Sequence, residues 1–183
     1  MADAKTILQK YVSDMLSLES HIFQVIDKQL KANKDEKDVS GKFEVYARTL
    51  ENHISQLKSR LEQLGGAANG PVKEGVAAVF GVAAGVIDKF RSEEASKDLR
   101  DDFTALNLSL ISYQMLHVTA LALDDKETAD LAARNMKDNA DFVMEIQQLV
   151  PSVVLRELGE NHDITVNKEA ASQTKELVSS IWK

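Results

Sequence analysis

TILQKYVSDMLSLESHIFQVIDKQL, Thr6 to Leu30, carries its apolar residues at the period of an α-helix. Leu8, Val12, Met15, Ile22 and Ile26 lie on a single stripe with Glu19 at its centre, and Leu16, Phe23 and Leu30 stand beside it. Spacings of three and four residues gather side chains on one face of a helix, whereas a strand needs strict alternation. A helix with such a stripe buries it against other helices, and Glu19 goes inward with its apolar neighbours.

Outward from this segment the same period recurs between interruptions at Asn33 to Ser40, Gly65 to Pro71, Arg91 to Ser96, Asp124-Asp125, Pro151, and Gly159 to Asn167. Four long helical segments of about 25 to 30 residues remain, the length that builds a four-helix bundle. The short connection at Asp124-Asp125 makes the third and fourth segments antiparallel neighbours. With 183 residues and two prolines the chain reads as one all-α domain, residues 1–183, with a crossover at about 66–92 and a C-terminal helix at about 167–183. That last helix begins at an Asn167 cap, has Glu169 in its first turn, and offers Leu177, Val178, Ile181 and Trp182 for packing.

The other long segments also carry polar residues among apolar ones. In the second, Phe43, Tyr46, Ala47, Leu50, Ile54, Leu57, Leu61 and Leu64 form the stripe, with Glu51 and His53 on opposite flanks. The third presents Phe103, Leu106, Leu110, Gln114, His117 and Leu121, with Asn107 just off centre. In the fourth, Leu131, Asn135, Asn139, Phe142, Ile146 and Leu149 align. A buried polar group without a partner costs about 1–3 kcal/mol, so several at one depth must satisfy one another. The expectation is a polar layer made of Glu19, Asn107, Gln114, His117, Asn135 and Asn139.

Composition narrows the chemistry. The chain has 22 Lys+Arg against 29 Asp+Glu, a formal charge of -7, which gives no basic face for nucleic acid. The absence of cysteine removes disulfides, thiolate catalysis and sulfur-bound zinc. MADAKTILQK lacks an apolar signal region, and no run approaches the about 18 apolar residues of a membrane span, so a soluble cytoplasmic protein is expected. No phosphate loop, GxSxG or HExxH motif occurs. His21 and His162 read as solvent-facing. Asp98, Asp101 and Asp102, with Lys97 and Arg100, read as the solvated start of the third helix.

DMLSLESHI, Asp14 to Ile22, resembles the first helix of the ferritin-like stress proteins of the YciE/YciF type. HISQLKSRLEQLGG, His53 to Gly66, is similar to that family's second helix and its glycine stop, and SYQMLHVTAL, Ser112 to Leu121, is similar to its third. The resemblance spans Thr6 to Leu158 and implies a ferritin-like four-helix bundle, dimeric, with a di-metal site. The ligands are incomplete. Glu19 matches the first-helix carboxylate, Arg48 replaces a second-helix Glu near Glu51, Gln114 matches the third-helix Glu, and Asn135, Asp138 and Asn139 surround the fourth-helix position. Two divalent cations need about four carboxylates with a His from each of two helices.

Three uses of the polar layer stay open. Glu19 and His117 can form a buried pair completed by Gln114, Asn135 and Asn139; one divalent metal, iron, manganese or zinc, can sit on Glu19 and His117 with Glu51 or His53; or the layer can line a small-ligand pocket. The expected function is that of a non-catalytic, stress-related or structural interaction protein without cofactor, with a metal-binding ferritin-like protein as the alternative. PVKEGVAAVFGVAAGVIDKF, Pro71 to Phe90, adds an apolar run with Gly75, Gly81 and Gly85. It suits core packing or a homodimer surface over Gly75–Ile87, whereas membrane contact is not expected, because its flanks carry only Lys73, Lys89 and Arg91.

Overall fold

The LEQLGG sequence, Leu61 to Gly66, ends the second helix by backbone geometry. Gly65 takes a positive φ of 77°, its N–H donates to the Glu62 carbonyl, and the Gly66 N–H reaches back to the Leu61 carbonyl. This pair of bonds satisfies carbonyls that the helix end leaves open, and glycine adopts the left-handed conformation without steric cost. Asp124 does the same after the third helix, with φ at 56°. Asp125 then caps the fourth, its Oδ1 accepting from the Thr128 N–H at 2.9 Å.

The computed structural model describes residues 3–67, 94–161 and 164–182. Among these residues the chain is all-helical: α1 is Ala4–Ala32, α2 Lys37–Gln63, α3 Ala95–Ala122, α4 Lys126–Asn161 and α5 Ala170–Ile181. Helix α1 packs on α2 and α3, α4 packs on α3 and α2, and α5 lies on α4. The core between the four long helices holds Val12, Ile22 and Ile26 from α1, Phe43, Leu50 and Leu57 from α2, Leu99, Leu106 and Leu116 from α3, and Ala132 and Ile146 from α4. None of the described helices is long and apolar enough to cross a membrane. The crossover and the Gly75–Ile87 run lie outside the described residues, apart from its first residues, Gly66 and Ala67.

The first and fourth stripes occupy the predicted faces, although Leu149 is only half-buried. The third is rotated. The buried row of α3 is Leu99, Asp102, Leu106, Ser109, Tyr113, Leu116 and Ala120, one position away from the predicted row over most of its length. Gln114 and Leu121 are exposed, and Leu110 and His117 half-buried. The reason is that the second half of α3 is apolar on two sides. Ile111, Met115, Val118 and Leu121 form an exposed row of their own, so hydrophobicity does not select one face.

Further expectations are corrected. Pro151 lies inside α4, which runs 36 residues. Proline lacks the N–H that would donate one turn back, but burial of Ile146 before it and Val153 after it holds the helical course. Asn167 accepts from the Glu169 N–H at 3.0 Å, and Glu169 is the cap residue of α5. Leu177, Ile181 and Trp182 are exposed and Val178 half-buried; a hydrogen bond from Gln148 Nε2 to Ser179 Oγ at 3.3 Å ties α5 to α4. Asp102 is buried, not solvated, because its helix turns that face toward α1. His21 is half-buried, and His162 lies outside the described residues.

Candidate functional site

Glu19 stands on the apolar stripe of α1, two turns from Val12 and one from Met15, and is fully buried. Its carboxyl is engaged from three other helices. Ser109 Oγ of α3 donates to Oε1, and Asn139 Nδ2 of α4 donates to the same oxygen at 3.2 Å and to Ser109 Oγ at 2.8 Å. From α2, His53 Nδ1 lies 3.1 Å from Oε2. The other ring nitrogen, Nε2, lies 3.2 Å from Asp138 Oδ2 on α4.

His53 is 0 % exposed while the Asp138 side chain is 46 % exposed, so this chain of groups runs from the interior to the surface. Burial lowers the affinity of the His53 imidazole for a proton. The hydrogen bond and charge of Glu19, and then those of Asp138, outweigh it and hold the group above its usual 6.5. When protonated, the ring donates from both nitrogens, to Glu19 on one side and to Asp138 on the other.

Tyr113 closes the layer from α3. Its ring meets the His53 ring edge-on, centroids 6.1 Å apart at 83°, and its hydroxyl accepts from Asn135 Nδ2 at 3.0 Å. Burial first, and then the charge of Glu19, push its phenol well above the ordinary range. It therefore serves as a neutral hydrogen-bonding group.

Of the predicted layer, Glu19, Asn135 and Asn139 are buried here. Gln114 is exposed, Asn107 is half-buried and donates from Nδ2 to the Phe103 carbonyl at 2.7 Å, and His117 is half-buried. His53 replaces His117 as the partner of Glu19. Its own spacing carried that signal, since it lies three residues after Leu50 and four before Leu57, both buried. Ser109 and Tyr113 were missed through the misplaced face of α3, and Asp138 because it reaches the layer from a half-exposed position.

Of the metal candidates Glu19, Glu51, His53 and His117, only Glu19 and His53 come together; Glu51 is exposed. No group of three or more His, Asp or Glu able to hold a metal occurs among the described residues. A pair of cations between helices takes a Glu from each of two helices and a Glu-x-x-His from each of the other two. At the level of Glu19, α3 supplies Ser109. One turn before His53 stands the fully buried Leu50, and one turn before Asp138 stands Asn135. The residues present do not fit paired cations: an alkyl side chain and neutral hydroxyl or amide groups occupy the ligand positions, and both His53 nitrogens are engaged.

A second polar cluster clamps the far end. Arg60 of α2 donates from Nε to Thr128 Oγ1 at 2.8 Å, from one terminal nitrogen to both Asp125 oxygens at 2.8 and 2.6 Å, and from the other to Glu127 at 2.6 Å. Burial raises the Asp125 carboxyl's proton affinity, but the Thr128 hydrogen bonds and Arg60 outweigh it and hold the carboxyl below its usual value. Arg60 thereby fixes the α3–α4 turn against α2.

No curated protein matches the chain. Residues 3–159, which include every residue of the polar layer and the Arg60 clamp, match the family described as Domain of unknown function (DUF892), and the chain belongs to that family.

Proposed function

We propose that this protein is a non-catalytic ferritin-like four-helix bundle, a structural or stress-related interaction protein in which a hydrogen-bonded layer stands where a di-metal site would be. The observation that carries the reading is the engagement of both Glu19 oxygens, Oε1 by Ser109 and Asn139 and Oε2 by His53. A ligand carboxylate in a metal protein turns its oxygens toward the cation, whereas here three other helices turn polar groups toward the carboxylate. The ring of contacts from α1 through α2, α4 and α3 supports the bundle, and buried Leu50 supports the loss of metal.

Elemental analysis of protein purified without chelator tests the proposal. The expected result is no stoichiometric iron, manganese or zinc, and a melting curve unmoved by adding them, since a ligand that binds the native state raises stability. Stoichiometric metal that disappears in Glu19→Ala overturns it in favour of a reduced metal site built on Glu19 and His53.

A further inference from the structure

The outer face of α3 is unlike that of its neighbours. From Phe103 to Leu123 the sequence contains no Asp, Glu, Lys or Arg. Ile111, Met115 and Val118, at spacings of four and three, form a row on the side of the helix opposite buried Tyr113, and they are 48, 50 and 61 % exposed. Solvent-facing positions of the other helices carry charge instead, such as Arg48, Glu51 and Lys58 on α2 and Arg134, Lys137 and Asp141 on α4. An apolar strip on a charged surface marks a place of contact.

The chain that joins α2 to α3 has to travel the length of this face. The end of α2 lies beside the start of α1 and the α3–α4 turn, where Gln9 Nε2 donates to the Leu64 carbonyl and Arg60 holds Asp125. The start of α3 lies beside the ends of α1 and α4, where Asn33 Nδ2 donates to Asp98 and the Ser96 N–H donates to Glu157 Oε1, each at 2.9 Å. The chain thus leaves α2 level with the end of α3 and enters α3 at its beginning, about 42 Å away at 1.5 Å per helical residue. Between the two points runs a sequence whose stretch Gly75–Ile87 is also free of charge. Taken as one helical pass from the level of Ala122, Pro71 to Phe90 covers about 30 Å and brings Gly75–Ile87 level with Leu106 to Val118.

The geometry points to the exposed row of α3 as the seat of the chain's own Gly75–Ile87 segment, which packs antiparallel to α3 with Ala78, Gly81 and Gly85 toward Ile111 and Met115. Small residues on one side meet large ones on the other, which lets the two backbones approach closely. Neither surface gives up the hydration of an ion. A second copy of the chain is the poorer occupant. The few half-exposed side chains of the row fall well short of the about 800 Å² per partner that a stable dimer buries. The tethered segment, by contrast, meets the row at the high effective concentration of its own chain.

The absence of cysteine makes the contact measurable in the full-length protein. Ala78→Cys with Met115→Cys is expected to close a disulfide within one chain under mild oxidation, read as a monomeric mass with raised mobility on a non-reducing gel. Ala78→Cys with Arg48→Cys on α2 is the control and is expected to stay open. Independently, Val118→Glu is expected to speed tryptic cleavage at Lys73, Lys89 and Arg91 by at least about tenfold, with the far-ultraviolet circular dichroism of the bundle unchanged. Disulfide-linked dimers would give the row to a second copy and overturn the proposal. Closure of the control pair as fast as the test pair, or cleavage of the native chain as fast as that of Val118→Glu, also overturns it.

Discussion

His53 Nδ1 stands 3.1 Å from Glu19 Oε2, and neither side chain has any exposed surface. Two polar groups from α1 and α2 thus meet in the interior of the molecule, where Glu19 Oε2 and His53 Nδ1 satisfy each other.

Removing one partner strands the other. Glu19→Ala leaves Ser109, Asn139 and His53 facing a void, and the loss is expected to be about 3–5 kcal/mol by chemical denaturation. Glu19→Gln keeps the shape but not the charge, and is expected to fall between the alanine variant and the native chain. An alanine variant within about 1 kcal/mol of the native chain would remove the layer's claim to hold the helices together.

The His53 imidazole is raised above 6.5 by Glu19 and Asp138 against the effect of burial, which sets a pH dependence. The stabilisation is complete below 6.5 and is lost as pH rises through the folded value. Denaturation midpoints from about pH 6 to about pH 9 should therefore decline, and His53→Gln should remove that part of the decline. Asp138→Asn should shift the step to lower pH while leaving it visible, because Glu19 still holds the ring. A native profile identical in slope to that of His53→Gln would show that the ring carries no extra proton.

Arg60 is expected to contribute on the acid side. Arg60→Met removes the donors that hold Asp125, Glu127 and Thr128, at a cost of about 2–3 kcal/mol, since Glu127 regains water easily while Asp125 and Thr128 do not. The lowered Asp125 carboxyl contributes stability present above 3.8 and lost as pH falls through its folded value. Asp125→Asn should flatten that acid limb. An unaltered acid-denaturation midpoint in Asp125→Asn would refute the assignment.

Much of the fold was legible in single residues. The Leu8-to-Ile26 stripe, the Gly65-Gly66 stop and the Asp124-Asp125 turn act through local geometry, which a short window of sequence contains. The inward placement of Glu19, Asn135 and Asn139 was legible for the same reason, because each interrupts an otherwise apolar row. Pro151 misled because its usual helix-breaking cost is local, whereas the burial of Ile146 and Val153 that offsets it comes from packing.

Local periodicity was enough to set four long helices, the buried face of α1 and the acidic residue carried inward on it. Which groups meet that residue depends on how the helices pack. Helix α3 is apolar on two sides, so its rotation depends on what its neighbours can bury, and that rotation brought Ser109 and Tyr113 inward in place of Gln114 and His117. Periodicity records how apolar a face is; the pairing of hydrogen-bond donors with acceptors across helices depends on their relative rotation, which no single helix encodes.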